Sequence, residues 1–479
     1  MLFHTTAFLV FFSITVALIA IARQHRNQKV VLLLASAVFY MWWNPAFILL
    51  ILTSATIDYW AADRIDRSES DGRRKFFLTI SVVANLGLLA FFKYANFFEH
   101  NLLFGFRLLG YRPNWTDFDI VLPVGISFYT FNTISYTVDV YRRRLAPCRS
   151  MLDYAVFVTF FPHLVAGPIV RATDFLYQLE APRRITFDRE ALFLFLRGLV
   201  KKVIVADGVS MFADTIFRAP GDWSSVVIWL AAICFYVQIY CDFSGYTDMA
   251  IAVARVVGYK LPQNFDRPYV AASPPEFWRR WHITLSSWLR DYLYIPLGGN
   301  RRGRLITFRN LMLTMLIGGL WHGASWNFVL WGALHGLALV VHRGWNRVKG
   351  RIGVTPAVET RRWYRIAATV LMQYWILLTW IPFRVSGTHN MVLALRKFML
   401  FDGNFHLAEV GLGALTPFTT LLIVTGFLIV HWWSARFGGL DERLRRASPI
   451  AAAAACVVVG AALFLLWPPA EAPFIYFQF

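Results

Sequence analysis

The chain has 479 residues, a net charge of +19 at neutral pH, 57% hydrophobic and 17% aromatic side chains, and only 16% charged ones. Soluble domains carry about 25% charged residues, so this composition excludes a string of soluble domains and points to one integral membrane domain. The positive charge is not a nucleic-acid footprint, because the basic residues fall in short clusters between apolar stretches, the pattern that the positive-inside rule leaves in cytoplasmic loops.

A helix crosses a bilayer with about 20 apolar residues, and about 17 suffice. In chain order, such stretches are Thr5–Ala22, Val30–Trp43, Phe47–Trp60, Phe76–Phe92, Val121–Val140, Tyr154–Val170 and Leu192–Phe217. They continue with Trp223–Tyr240, Leu311–Val341, Ile366–Ile381, Pro417–Trp433 and Ile450–Trp467. Several are short, so some are tilted, re-entrant or buried in protein, with breaks expected at Pro123-Val124-Gly125 and Ala166-Gly167-Pro168. The expectation is an all-α integral membrane protein of about 10–12 transmembrane helices, with interfacial and re-entrant helices besides. Residues 1–479 form a single membrane domain, with no repeat or appended soluble domain.

The first stretch lacks a basic n-region and a small-residue cleavage site, so it reads as a retained helix. The basic clusters at 23–29, 61–75, 142–149, 301–309, 343–365 and 435–446 are expected in the cytoplasm. That puts the amino terminus and the tail 468–479 on the other side. Cys148, Cys234, Cys241 and Cys456 form no CxxC pair, so neither a disulfide framework nor a metal site is expected.

The stretch from Tyr240 to Met249 places Asp242 and Asp248 in apolar surroundings, where a carboxylate needs a partner. Arg279 or Arg290 is expected to supply it, as a structural ion pair. Those arginines belong to Pro274–Gly298, which is not a simple span. As one helix, it aligns Trp278, Trp281, Leu285 and Trp288 on one face and Arg279, His282, Ser286 and Arg290 on another. Two readings fit an aromatic stripe opposite a basic one. One is a helix lying at the membrane surface with its arginines reaching into water. The other is one wall of a cytoplasmic funnel, with Trp278, Arg279, Trp281, Ser286 and Arg290 as candidate lining residues and His282 pointing into it.

His322 lies in an apolar run without Lys, Arg, Asp or Glu, Leu311–Gly336. An ionisable group at membrane depth is costly and marks a functional site. Imidazole also exchanges a proton readily near neutral pH. The competing reading is a structural histidine bonded to a neighbouring helix.

Taken in order, several motifs carry a resemblance to a known family. They are Leu122-Pro-Val-Gly-Ile-Ser-Phe-Tyr-Thr-Phe131, Phe161-Pro-His-Leu-Val-Ala-Gly-Pro-Ile169, Tyr240-Cys-Asp-Phe-Ser-Gly-Tyr246, Phe277-Trp-Arg-Arg-Trp-His282, Trp288–Asn300 and Gly318-Gly-Leu-Trp-His-Gly-Ala-Ser-Trp326. Over nearly its whole length the chain resembles the membrane-bound O-acyltransferase (MBOAT) family, in its bacterial alginate O-acetyltransferase-like branch. The resemblance implies a fold in which a cytoplasmic and an extracytoplasmic funnel meet at a thin wall. It places the near-invariant catalytic histidine at His322 and the second motif histidine at His282. It further implies acetyl-coenzyme A as a cytoplasmic donor, no bound cofactor, and residence in a bacterial inner membrane. An extracytoplasmic SGNH-type partner is implied, and so is O-acetylation of an envelope or secreted polysaccharide of the alginate, cellulose or peptidoglycan type. The terminal Phe474-Ile-Tyr-Phe-Gln-Phe479 resembles a motif of small partner proteins in D-alanyl transfer systems, which makes Tyr476 a candidate acyl relay. An interfacial belt tyrosine is the plainer alternative.

Two other functions stay open on the sequence. One is a proton-coupled transporter or polysaccharide-export component, with His322 and the buried aspartates as a relay. The other is an acyltransferase for lipid or protein. His322 fits a general base or a nucleophile, and His282 an orienting, donor-binding or proton-transfer role.

Overall fold

The computed structural model describes residues 1–111, 118–165, 167–403, 415–468 and 474–475, and every regular element among them is helical. Among the described residues, six helices are long and apolar enough to cross a membrane: Pro45–Arg67, Asp71–Leu108, Ser225–Val256, Arg362–Arg384, Phe418–Phe437 and Pro449–Leu466. Thr6–Ile21 is apolar and shorter. The protein is an all-α, multi-pass membrane protein. It divides into two compact units, residues 1–192 with 250–262, and residues 193–249 with 263–479.

In the first unit, helices Ile48–Arg67, Asp71–Leu108 and Ile126–Tyr141 meet through a buried polar knot. Asp58 accepts hydrogen bonds from the Ser81 hydroxyl at 2.6 Å and the Asn85 amide at 2.8 Å. The Asn85 carbonyl in turn accepts from Ser54 and Thr133. Where lipid tails are as apolar as leucine, such interhelical bonds are part of what selects helix partners. The break expected near Gly125 is present: its φ is +79°, and a Cβ there would come within 2.6 Å of the Leu164 carbonyl oxygen. The Tyr154–Val170 stretch is not one span, because helix Met151–Thr159 ends at Phe160 and a separate turn of helix follows at Phe161–Leu164. Ala166 lies outside the described residues.

In the second unit, three expected spans take other forms. Leu192–Phe217 is interrupted by a π-helical turn, Val200–Ala206, between helices Arg189–Leu199 and Asp207–Arg218. Trp223–Tyr240 continues to Val256, so Asp242 and Asp248 lie on a helix. Leu311–Val341 is a helical hairpin: Arg304–His322 runs into a turn at Gly323–Ser325, and Trp326–Val348 returns. Its arms touch through glycines. A Cβ on Gly319 would sit 2.3 Å from the Phe328 carbonyl oxygen, and one on Gly332 would sit 2.4 Å from that of Met315. Backbones approach this closely only where side chains are absent. An uninterrupted apolar run hides the turn, because periodicity cannot separate one long helix from two packed ones.

Candidate active site

The hairpin sets the position of His322, the last residue of its first arm. The Asn327 side chain donates to the Val385 carbonyl at 2.6 Å and ties the second arm to the end of helix Arg362–Arg384. That contact brings Phe383 to the site. The His322 ring is packed edge-on against Trp331 (centroids 4.9 Å apart), Phe383 (5.2 Å) and Trp321 (4.9 Å), and the residue is buried.

His282 arrives by a different route. The segment expected as one helix is two, Pro274–Arg280 and Ile283–Leu289, followed by a π turn at Arg290–Tyr294. The joint is His282 itself, with φ +43° and ψ 54°. This left-handed conformation is uncommon for a residue with a Cβ and needs outside support. Asn264 supplies it. Its backbone carbonyl accepts from the Ile283 N–H at 2.9 Å. Its side-chain carbonyl accepts from the Thr284 N–H and hydroxyl at 3.2 and 2.9 Å, and lies 3.2 Å from His282 Nδ1. An oxygen that accepts from an amide makes Nδ1 the donor, so the lone pair of the neutral ring sits on Nε2. The kink turns His282 out of the exposed basic face and into the interior, where it is fully buried. The rings of His282 and His322 end 6.5 Å apart.

The other residues singled out in the sequence divide. Trp281 is buried and packs on Trp380 at 5.0 Å and Phe265 at 5.1 Å. Trp278 is half-buried against Trp331 (5.8 Å), the same ring that walls His322. Ser286 is half-buried and donates to the Trp281 carbonyl. Arg279 and Arg290 are exposed. Arg290 pairs with its neighbour Asp291 at 2.7 Å, not with a buried aspartate. The expected partners of Asp242 and Asp248 are therefore wrong. Asp248 is held by Arg197 (2.7 Å) and Lys201 (2.8 Å). Asp242 pairs with Lys202 at 2.9 Å, and Lys202 also pairs with Asp207 at 2.8 Å. Both lysines lie in the π turn, a helical irregularity that often serves functional sites.

Three contributors went unread in the sequence: Asn264, Lys202 and His335. His335 is fully buried, 4.6 Å from Trp331 and 5.1 Å from Trp278, and neither ring nitrogen has a hydrogen-bond partner among the described residues. The four-residue spacing from Trp331 puts it on the same helix face and was a usable signal. The carboxyl-terminal segment also enters the unit. Phe474 and Ile475 are buried, with the Phe474 ring 4.7 Å from Tyr246 and 5.9 Å from Phe243. Phe243 lies 4.8 Å from the His282 ring. Tyr476 lies outside the described residues.

Two buried imidazoles walled by aromatic rings offer side chains that can do acid–base or nucleophilic chemistry. Residues 142–382 match the membrane-bound O-acyltransferase family. The chain belongs to that family. Its relatives include a "Probable alginate O-acetylase" of Azotobacter vinelandii, 40% identical over 86% of this chain and 80% of that protein. A "Peptidoglycan O-acetyltransferase" of Helicobacter pylori is 37% identical over 80% of this chain and 76% of that protein. A more distant relative, a "Teichoic acid D-alanyltransferase" of Streptococcus thermophilus, is 27% identical over 56% of this chain and 69% of that protein. The protein is thus an O-acyltransferase, and the transporter reading falls away.

Proposed function

We propose that this O-acyltransferase moves an acetyl group from acetyl-coenzyme A in the cytoplasm to a cell-envelope or secreted polysaccharide, from a bacterial inner membrane. The observation that carries the reading is the buried pair His282–His322, with rings 6.5 Å apart inside an aromatic box. Relatives named for alginate and peptidoglycan O-acetylation support acetyl as the group and a glycan as the destination.

In this reading His322 is the general base. It takes the proton of the acceptor hydroxyl as that oxygen attacks the thioester carbonyl. The tetrahedral adduct collapses with loss of the coenzyme A thiolate, which takes up the proton from the imidazolium. His282, its tautomer fixed by Asn264, presents Nε2 as an acceptor and orients the reacting groups. Trp278, Trp281 and Ser286 line the approach of the donor, and Arg279 and Arg290 meet its phosphates.

The hairpin supports transfer across the membrane. Its two arms start and end at the basic clusters around Arg301–Arg304 and Arg343–Arg347, so its turn lies at the opposite end. At ~1.5 Å per residue, the first arm carries His322 about 27 Å from Arg304, toward the extracytoplasmic half. Tyr476 is the first acceptor there. Its phenol oxygen takes the acetyl group as an aryl ester, and an extracytoplasmic SGNH-type partner transfers it to the glycan and regenerates the phenol.

The test is turnover in proteoliposomes with labelled acetyl-coenzyme A, alone and with the partner and polymer. His282→Ala should lower donor consumption, and its effect should not add to that of His322→Ala. Tyr476→Phe should insert normally and abolish acetylation of the polymer. Normal donor consumption in His322→Ala sinks the base assignment, and normal polymer acetylation in Tyr476→Phe sinks the relay.

A further inference from the structure

The buried cluster around Lys202 holds one ammonium against two carboxylates, Asp207 and Asp242, with all three side chains almost completely shielded from solvent. Its charges do not balance within the three. A buried carboxylate in excess of its cation gains from further hydrogen-bond donors. One such donor comes from the far end of the chain. The backbone N–H of Ile475 donates to Asp242 Oδ2 at 2.8 Å, in a buried bond. The chain leaves helix Pro449–Leu466 and is back in the interior at Phe474. On the same helix face as Asp242, one turn on, Tyr246 receives the Phe474 ring.

We propose that Asp242 is a positioning residue whose buried carboxylate docks the carboxyl-terminal segment beside the histidine pair. Lys202 and Asp207 fix the carboxylate, the Ile475 amide plugs into it, and the Phe474 ring seats against Tyr246 and Phe243. Phe243 also touches His282, with ring centroids 4.8 Å apart, so the docked segment and the histidine pair share an aromatic ring. For the relay proposed above, the dock anchors the residue immediately before Tyr476, the attachment point of the acetyl group. That last consequence rests on the relay reading above, while the docking itself does not.

Ile475→Cys keeps the donated amide and gives a thiol probe in the full-length membrane protein, with the parent chain as blank. The thiol should resist a membrane-permeant maleimide when Asp242 is present. In Asp242→Ala it should react about 10- to 100-fold faster, as expected when a hydrogen bond to a charged group is lost. Asp242→Asn keeps an acceptor oxygen without its charge and should fall between. Should Asp242→Ala fail to accumulate, Phe474→Cys with and without Ile475→Pro gives the same readout. Proline deletes the donated N–H together with the isoleucine side chain, and leaves Asp242 and its partners Lys202 and Asp207 unchanged. Equal labelling with and without Asp242, or with and without the 475 N–H, overturns the docking. If labelling behaves as expected while Tyr476→Phe still acetylates polymer, the dock stands and the relay fails.

Discussion

The second unit buries two polar centres built on opposite terms. The histidine pair is walled by neutral rings: Trp321, Trp331 and Phe383 around His322, and Phe243 and Phe265 around His282. The cluster of Lys202, Asp207 and Asp242 is held by formal charge. An imidazole deleted from an aromatic box leaves a small void and no stranded ion. A charge deleted from the cluster leaves an unbalanced charge in a low-dielectric interior, where breaking a buried pair is strongly destabilising. The first centre is thus built so that chemistry and stability separate, and the second so that they do not.

The largest expected effect breaks the first centre alone. His322→Ala should lower acetyl-coenzyme A turnover by about 10²–10⁴, the usual worth of general-base catalysis, with membrane insertion and thermal stability near those of the parent. A large fall in melting temperature would make His322 a structural residue and erase the contrast.

Lys202→Met probes the second centre. With Asp207 and Asp242 left facing each other, folding should lose about 3–5 kcal/mol. The measure is the folded fraction recovered in detergent and its melting temperature. An unchanged melting temperature would show that other groups neutralise the carboxylates.

Asn264→Leu sharpens the comparison, because Asn264 holds His282 through both its side chain and the turn that carries it. The change strips an acceptor from the Thr284 N–H and hydroxyl, a loss of about 1–3 kcal/mol, and frees the tautomer of His282. Activity should fall to that of His282→Ala, and the double variant should be no worse than either single one. Additive losses would mean that Asn264 acts elsewhere.

The smallest effect is at the surface. Arg290→Ala removes an exposed pair with Asp291 and should shift stability by no more than about 0.5 kcal/mol. If Arg290 meets the donor, KM for acetyl-coenzyme A rises while kcat holds. An unchanged KM takes it out of the donor site.

Much of this was legible in the chain. The apolar stretches marked most of the helical regions, and the ordered motifs gave the family and singled out both histidines as candidates. The depth of His282 was not legible, because the spacing of Trp281, Leu285 and Trp288 stays helical on either side of the kink. No residue type announces a left-handed turn at a histidine. The support comes from Asn264, which belongs to a preceding loop. The partners of Asp242 and Asp248 were misjudged for a related reason. Arg279 and Arg290 follow in sequence, yet the charges that matter, Lys201 and Lys202, stand on the π turn of another helix, inside an apolar stretch that reads as a span. His335 escaped for lack of a distinguishing pattern beyond its spacing from Trp331.

One feature of the hairpin bears on the chemistry at His322. The first arm ends at that residue, so its terminal peptide carbonyls gather there with a partial negative charge of about half an electron. On the mechanism proposed above, the base at this position becomes a cation as it works. The helix dipole opposes the resting neutral ring in nothing, yet favours the imidazolium formed in the transition state. An orientation of that kind contributes about 0.3–1 kcal/mol, up to a few-fold in rate, and it is present before any substrate arrives.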